Sequence, residues 1–289
     1  MPELPEVETV MRGLTPVMAG ARFERVLQRR PDLRFPLPER FAARLQGRRI
    51  EGLSRRAKYV LVALEGDEVL VMHLGMSGRF IVEDSQLGRF THNQQPVSVH
   101  DHIVFEMSNG GRVTFNDARR FGYMDLIGTA AMPDHPWFIG LGPEPLSDDF
   151  DAAALAAKAH GRAVDLKALL LDQKVVAGLG NIYVSEALHD ARLSPLRKAA
   201  TLARKNGVPF ARTETLVATI KDVLNRAILA GGSTLRDYQQ TDGSLGYFQN
   251  AHKVYDRADE ACLSAGCRGT VRRIVQSGRS TFYCPHCQA

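Results

Sequence analysis

The spacing of apolar positions changes along this chain, and each change marks a different kind of element. Val7, Val10, Met11 and Leu14 recur at i, i+3, i+4 and i+7, one face of an amphipathic helix. Pro5 suits the first residue of that helix, and Glu6 and Glu8 lie in the first turn, where the helix dipole favours acids. The apolar positions then gather into short runs. KYVLVAL (58–64), EVLVMHL (68–74), GRFIVE (78–83), HIVFEM (102–107) and RVTF (112–115) are short runs rich in β-branched and aromatic residues. Gly66-Asp67 and Asn109-Gly110-Gly111 punctuate them as hairpin-type turns. Residues 21–127 are therefore expected to form a β-sandwich or barrel flanked by the first helix, with 84–100 as a loop insertion.

From residue 151 the composition turns helical. DAAALAAKAHG, VDLKALLLDQ, NIYVSEALHDA and TETLVATIKDVLNRAILAGG are the candidate helices. The third places Val184, Ala187, Leu188 and Ala191 on one face, with Asn181 as its N-cap. The preceding Gly178-Leu179-Gly180 permits close backbone approach, which makes this helix start a candidate phosphate site. Pro133, Pro136, Pro143 and Pro145 mark a linker, and residues 231–250, rich in Gly and polar side chains, read as a loop. The expected division is 1–131, a linker at 132–150, a helical domain at 151–250 and a terminal module at 251–289.

Length and charge narrow the possible roles. A chain of 289 residues has room for two domains, and a net charge of +5 is only mildly basic. Its distribution matters more than its size. Residues 48–58 (RRIEGLSRRAK) carry five positive charges against Glu51, and 251–289 carry six against three acids. Such stripes fit a solvated face or a polyanion such as nucleic acid. No apolar run is long enough to span a membrane, and the chain opens with acids rather than a signal peptide, so a soluble intracellular protein is expected.

Two features carry candidate chemistry. Pro2 lies directly behind Met1, and removal of Met1 leaves a free secondary amine at the N-terminus. An α-amino group titrates at about 7.7–8.0, so part of it is neutral and nucleophilic near pH 7. Attack on a sugar or carbonyl carbon gives an iminium, with Glu3 beside it to donate or accept protons. The second feature is the set Cys262, Cys267, Cys284 and Cys287, spaced C-x4-C-x16-C-x2-C. Two pairs at the ends of a short loop are what a tetrahedral structural zinc site requires. Two disulfides would need an oxidising compartment, for which nothing in the chain speaks. The segment RRIVQSGRSTFYC reads as two strands around a Ser277-Gly278 turn, with Arg279 just beyond it, placed to reach a phosphate.

Over essentially its whole length the chain resembles the bacterial formamidopyrimidine-DNA glycosylase family. The resemblance rests on MPELPEVE at the start, RRAKY around Lys58, HLGMSG at 73–78, RRFG at 119–122, LGPEPL at 141–146, VVAGLGNIYVSEAL at 175–188, and the four cysteines. It implies an α+β multidomain fold: an N-terminal β-sandwich flanked by helices, a helix-two-turns-helix domain with a lesion-recognition loop at 231–250, and a C-terminal zinc-finger β-hairpin. It further implies a bifunctional glycosylase/AP lyase of base-excision repair that excises 8-oxoguanine and formamidopyrimidines and cuts by β,δ-elimination. Such an enzyme would be a cytoplasmic, nucleoid-associated monomer that binds damaged double-stranded DNA, holds one structural Zn2+ and needs no organic cofactor.

Carried over residue by residue, the resemblance makes Pro2 the nucleophile and Glu3 the acid/base near the sugar. Lys58 would serve β-elimination and Arg279 δ-elimination. An arginine does not readily give up a proton, so Arg279 is better read as a phosphate clamp. Met76, Arg119 and Phe121 would fill the space left by a flipped base, while His100, Lys167, Asn181 and Arg162 would grip phosphates. The chain departs from the family pattern at Ala118, where proline is usual, at the four-residue first cysteine spacing, at Arg236, where lysine is common, and at Ala163, which thins a basic run. The rival readings are the sister class acting on oxidised pyrimidines, from which Leu4 and PELPEVE lean away, and an inert zinc-ribbon DNA-binding protein, which has no use for Pro2 or Glu3.

Overall fold

Helix α1 spans Leu4–Met18 and buries the face its spacing predicts, with Leu4, Val7, Val10, Leu14 and Val17 all nearly inaccessible. The computed structural model describes residues 1–83, 98–233, 241 and 246–289. These divide into two compact units, one of residues 1–139 with 230–247 and one of 140–229 with 248–289.

In the first unit, which also holds the short helix α2 (Phe41–Leu45), α1 packs on two four-stranded antiparallel sheets. One sheet comprises β1 (Phe23–Gln28), β6 (Asp101–Met107), β7 (Arg112–Asn116) and β5 (Arg79–Glu83), in that spatial order. The other comprises β2 (Ile50–Arg56), β3 (Tyr59–Leu64), β4 (Glu68–His73) and β8 (Tyr123–Gly128). Phe23, Phe80, Phe105 and Phe115 from the first sheet share one core with Val60, Val62, Leu70 and Met124 from the second, so the fold is a sandwich rather than a barrel. Each such side chain contributes roughly 1.5–3 kcal/mol of burial. The strands read from runs of β-branched and aromatic residues are all present. β1, β2 and β8 were not individually legible, and β2 is the instructive case. Its charged residues read as a basic stripe, yet Ile50–Arg56 pairs along the edge of β3.

Residues 132–139 are not a free linker. Met132, Trp137 and Phe138 cover the outer face of the second sheet, packing on Val69, Val71 and Ile127 together with Tyr59 and Leu61. Residues 230–247, expected as part of the helical domain, belong to the first unit. Arg236 lies outside the described residues, as does most of the loop insertion expected at 84–100.

The second unit holds the four expected helices, α3 (Ala152–Ala159), α4 (Leu166–Leu171), α5 (Asn181–Asp190) and α6 (Ala211–Leu229), and the hairpin of β9 (Arg272–Gln276) and β10 (Arg279–Tyr283). Asp151 caps α3, its Oδ1 accepting the Ala154 N–H at 2.7 Å. The N-cap of α5 is Gly180 rather than Asn181; Asn181 is the first helical residue, and its side chain reaches another element instead. The hairpin belongs to this same unit. Among the described residues no helix is long and apolar enough to cross a membrane.

Candidate active site and metal site

The chain start is held in place. Pro2 is buried and Glu3 is 4% exposed. Glu3 is the N-cap of α1, in extended backbone, and it forms a reciprocal capping box with Glu6. The Glu3 N–H donates to Glu6 Oε2 at 2.8 Å, while Glu6 Oε1 accepts the Ser233 N–H at 2.8 Å. A single buried carboxylate therefore joins the N-terminus to the segment at 230–233. A Cβ on Gly232, whose φ is +82°, would lie 2.9 Å from Glu6 Oε1, so glycine allows the close approach. By position alone Glu6 reads only as a first-turn acid; the Glu3-x-x-Glu6 spacing is the local signal for the capping box.

Lys58 occupies the two-residue turn between β2 and β3, where Arg56 pairs with Tyr59 and Ala57 takes φ +53°. It is 8% exposed, which is unusual for lysine at a hairpin tip. His73 lies within range of its charge. Burial, then the positive charges of Lys58 and Arg34, lower His73 to about 3, so the ring is neutral. It stacks on Tyr123 at 4.6 Å and accepts the Gly75 N–H on Nδ1 at 2.9 Å. Tyr59 and Tyr123 share a 3.1 Å hydroxyl contact, and burial raises both phenols above their ordinary value.

The expected wedge residues lie on two interlocked turns. Met76 is on the turn that Gly75 and Ser77 flank, and Arg119 and Phe121 are on the turn from Asp117 to Gly122. Ser77 Oγ donates to Asp117 Oδ1 at 2.6 Å, and Asp117 Oδ2 accepts the Gly122 N–H at 2.8 Å. Ser77 Oγ also accepts the Arg119 N–H at 3.1 Å. Gly75 has φ +65°, and a Cβ there would come within 2.2 Å of the Phe121 carbonyl carbon. The Arg119 guanidinium sits 4.9 Å above the Phe121 ring, and Phe121 stays exposed. The Asp117 N–H donates to the His100 carbonyl at 3.0 Å, which brings exposed His100 to the same place. Ser77 and Asp117 carry no sequence signal of their own.

In the second unit, Ser277 and Gly278 form the predicted turn, both at positive φ, and Arg279 is exposed just beyond it, paired with Gln276. Lys167 is 1% exposed, and its ammonium donates to the Ser280 carbonyl at 2.8 Å and the Thr281 hydroxyl at 2.5 Å. Asn181 Nδ2 donates to the same Ser280 carbonyl at 2.9 Å. These two residues hold the strand that carries Arg279. Arg162 is exposed beside Asp172, at 3.7 Å. Gln173 fastens the glycine turn before α5, accepting the Gly178 N–H and donating to the Leu179 carbonyl. Glu186, 2% exposed, accepts the N–H groups of Lys253, Val254 and Tyr255 at 2.8–3.0 Å, another role with no local signature.

The four cysteine sulfurs lie within 4.8 Å of one another, and none is in a disulfide. Cys262–Cys287 and Cys267–Cys284 are each 3.7 Å apart. A tetrahedron with Zn–S bonds of about 2.3 Å has edges of about 3.8 Å, so the sulfurs fit zinc as they stand. Backbone N–H groups of Ser264 and Gly269 point at Cys262 and Cys267 at 3.5 and 3.3 Å. A Cβ on Gly269 would lie 2.7 Å from Cys284 Sγ. With four thiolates there is no open position, so the metal supplies structure, tying the segment at 262–267 to that at 284–287.

The chain is similar to known proteins over its whole length. Family models match the formamidopyrimidine-DNA glycosylase N-terminal domain over residues 1–124, the H2TH domain of the same proteins over 141–239, and the zinc finger found in FPG and IleRS over 261–289. Formamidopyrimidine-DNA glycosylases of Azorhizobium caulinodans and Afipia carboxidovorans are 58% and 56% identical, each over 100% of both chains. The crystal structure of the Thermus thermophilus MutM (FPG) protein superposes with a TM-score of 0.83 at 39% identity, over 99% of this chain and 98% of that one. The Lactococcus lactis Fpg in complex with DNA containing an abasic site gives 0.85 at 32% identity, over 100% of both.

Proposed function

The chain belongs to the formamidopyrimidine-DNA glycosylase family, and from that premise we propose that it removes oxidised purines, 8-oxoguanine and formamidopyrimidines, and then cuts the DNA as an AP lyase. Once Met1 has been removed, the Pro2 amine attacks C1′ of the damaged nucleoside. The N-glycosidic bond breaks, its electron pair leaves with the base, and the base takes up a proton. Opening of the sugar ring converts the adduct to an iminium between the Pro2 nitrogen and C1′. The iminium acidifies the C2′ hydrogen. Loss of that proton expels the 3′ phosphate, a second elimination expels the 5′ phosphate, and hydrolysis of the iminium frees the amine.

Glu3 handles the sugar-ring proton and Lys58 accepts the C2′ proton. Arg279 keeps its proton and steadies the leaving phosphate by charge. Extruding the base costs a few kcal/mol, and the Met76–Phe121 wedge replaces the lost stacking while Arg119 bonds to the widowed base. His100 and Arg162 grip phosphates, and Lys167 and Asn181, expected in the same role, serve it by holding the strand that carries Arg279. These contacts position DNA without reading sequence, as suits a monomeric lesion scanner acting in the cytoplasm on the nucleoid.

The observation that carries this reading is the Glu3–Glu6 capping box, which keeps Pro2 and Glu3 ordered and buried where a chain end would ordinarily fray. Borohydride reduction with 8-oxoguanine duplex is expected to trap a covalent adduct, and Pro2→Gly is expected to lose most base release with its zinc content unchanged. Wild-type base release by Pro2→Gly would remove Pro2 as nucleophile. Faster excision of thymine glycol than of 8-oxoguanine would move the substrate to oxidised pyrimidines.

A further inference from the structure

His189 lies in the last turn of α5, 1% exposed, and its Nε2 is 3.4 Å from Cys262 Sγ and 3.1 Å from Ser264 Oγ. Ser264 sits inside the lengthened Cys262–Cys267 spacing, and its hydroxyl is also 3.8 Å from Cys287 Sγ. A hydroxyl of that knuckle therefore lies between a helix histidine and a second sulfur. Asp190 Oδ1, 3.6 Å from His189 Nδ1, already accepts from Lys253 at 2.7 Å.

A zinc-bound cysteine carries no proton and can only accept hydrogen bonds. A lone pair on Nε2 would face the sulfur lone pairs in a buried site, so Nε2 must carry the hydrogen, whatever the state of Nδ1. We propose that the single Nε2–H of His189 is shared between the Cys262 thiolate and the Ser264 hydroxyl oxygen, and that the Ser264 hydroxyl donates its own hydrogen to Cys287, so that α5 supplies an outer shell that slows zinc loss. Hydrogen bonding draws charge off the sulfur and makes it harder for a proton or a competing ligand to open the first Zn–S bond. Outer-shell partners commonly change metal affinity by about 10–100-fold.

The position of His189 adds a structural consequence. The other end of α5 holds the hairpin through Asn181 and Ser280, so one helix touches both the metal knuckle and the strand that carries Arg279. His189 is a positioning residue in this scheme, acting on the sulfur and not on the substrate.

The test uses the zinc-loaded full chain without DNA, so its outcome is independent of the glycosylase reading. Transfer of zinc to excess 4-(2-pyridylazo)resorcinol is expected to be about tenfold faster in His189→Phe, which keeps a ring but has no donor. His189→Gln, whose amide nitrogen can reach the place of Nε2, is expected to restore most of the wild-type rate. Ser264→Ala is expected to release zinc faster by a smaller factor. In the cobalt-substituted protein the sulfur-to-cobalt charge-transfer band should shift in His189→Phe and return in His189→Gln, a signature that loss of packing alone would not give. Equal release rates and bands in His189→Phe and wild type would overturn the proposal, as would His189→Gln behaving like His189→Phe. If His189→Phe does not fold, equal release by Ser264→Ala and wild type overturns it.

Discussion

The Ser77 hydroxyl donates to Asp117 Oδ1 at 2.6 Å, and this bond ties the turn carrying Met76 to the turn carrying Arg119 and Phe121. Ser77 is also the acceptor for the Arg119 N–H, so one hydroxyl joins the turns that carry the three side chains proposed as the wedge. Ser77→Ala leaves an Asp117 oxygen and the Arg119 N–H without this partner, at a cost of about 1–3 kcal/mol. Excision from a lesion duplex is expected to fall about tenfold, the equivalent of about 1.4 kcal/mol in the barrier. Cleavage of an abasic site in single-stranded DNA, which needs no wedge, should be unchanged. Rates on the two substrates compared side by side check this; a parallel fall in both would count against it.

Glu6 offers one oxygen to the Glu3 N–H and the other to the Ser233 N–H. Glu6→Gln keeps only one acceptor and turns an NH2 group toward the other donor, so it is expected to be nearly as damaging as Glu6→Ala. Either change should cost roughly 1–3 kcal/mol for the unpaired donor and lower base release at least tenfold. Single-turnover kinetics with zinc content measured in parallel separate this from a zinc-site effect; an unimpaired Glu6→Gln would rule it out.

His73 makes stability depend on pH in a predictable direction. Its pKa is about 3 in the folded chain against an ordinary 6.5. Below pH 6.5 the unfolded chain takes up a proton that the folded chain refuses, so stability falls as pH drops from 6.5 toward 3. The slope approaches about 1.4 kcal/mol per pH unit for this one group. His73→Asn retains an acceptor for Gly75 but cannot titrate. It should start less stable at pH 7, through lost stacking on Tyr123, and the gap should narrow by pH 5. Urea midpoints at pH 7, 6 and 5 read this directly, and parallel curves would exclude it.

Glu186 caps three consecutive N–H groups, those of Lys253, Val254 and Tyr255, from inside the second unit. Glu186→Ala leaves all three without that acceptor and is expected to destabilise by about 3 kcal/mol or more. Calorimetry of the zinc-loaded protein should show a drop of roughly 6 °C or more in Tm. A shift of a degree or less would show that water replaces the carboxylate at no cost.

Local pattern alone determined much of this protein. The 3.6-residue period exposed α1 and one face of α5, helical composition exposed the other later helices, and short runs of β-branched and aromatic residues exposed β3 to β7. The cysteine spacings marked the metal site for a similarly local reason: within each pair the ligands lie only a few residues apart. Other features were decided only by tertiary structure. The sandwich rather than a barrel, the packing of Trp137 on the second sheet, Glu6 on Ser233, Ser77 on Asp117, Lys167 on Ser280 and His189 on Cys262 all join residues tens to hundreds of positions apart. A hydrogen bond between distant segments imposes no period on either one, so it becomes visible only when the core has brought them together.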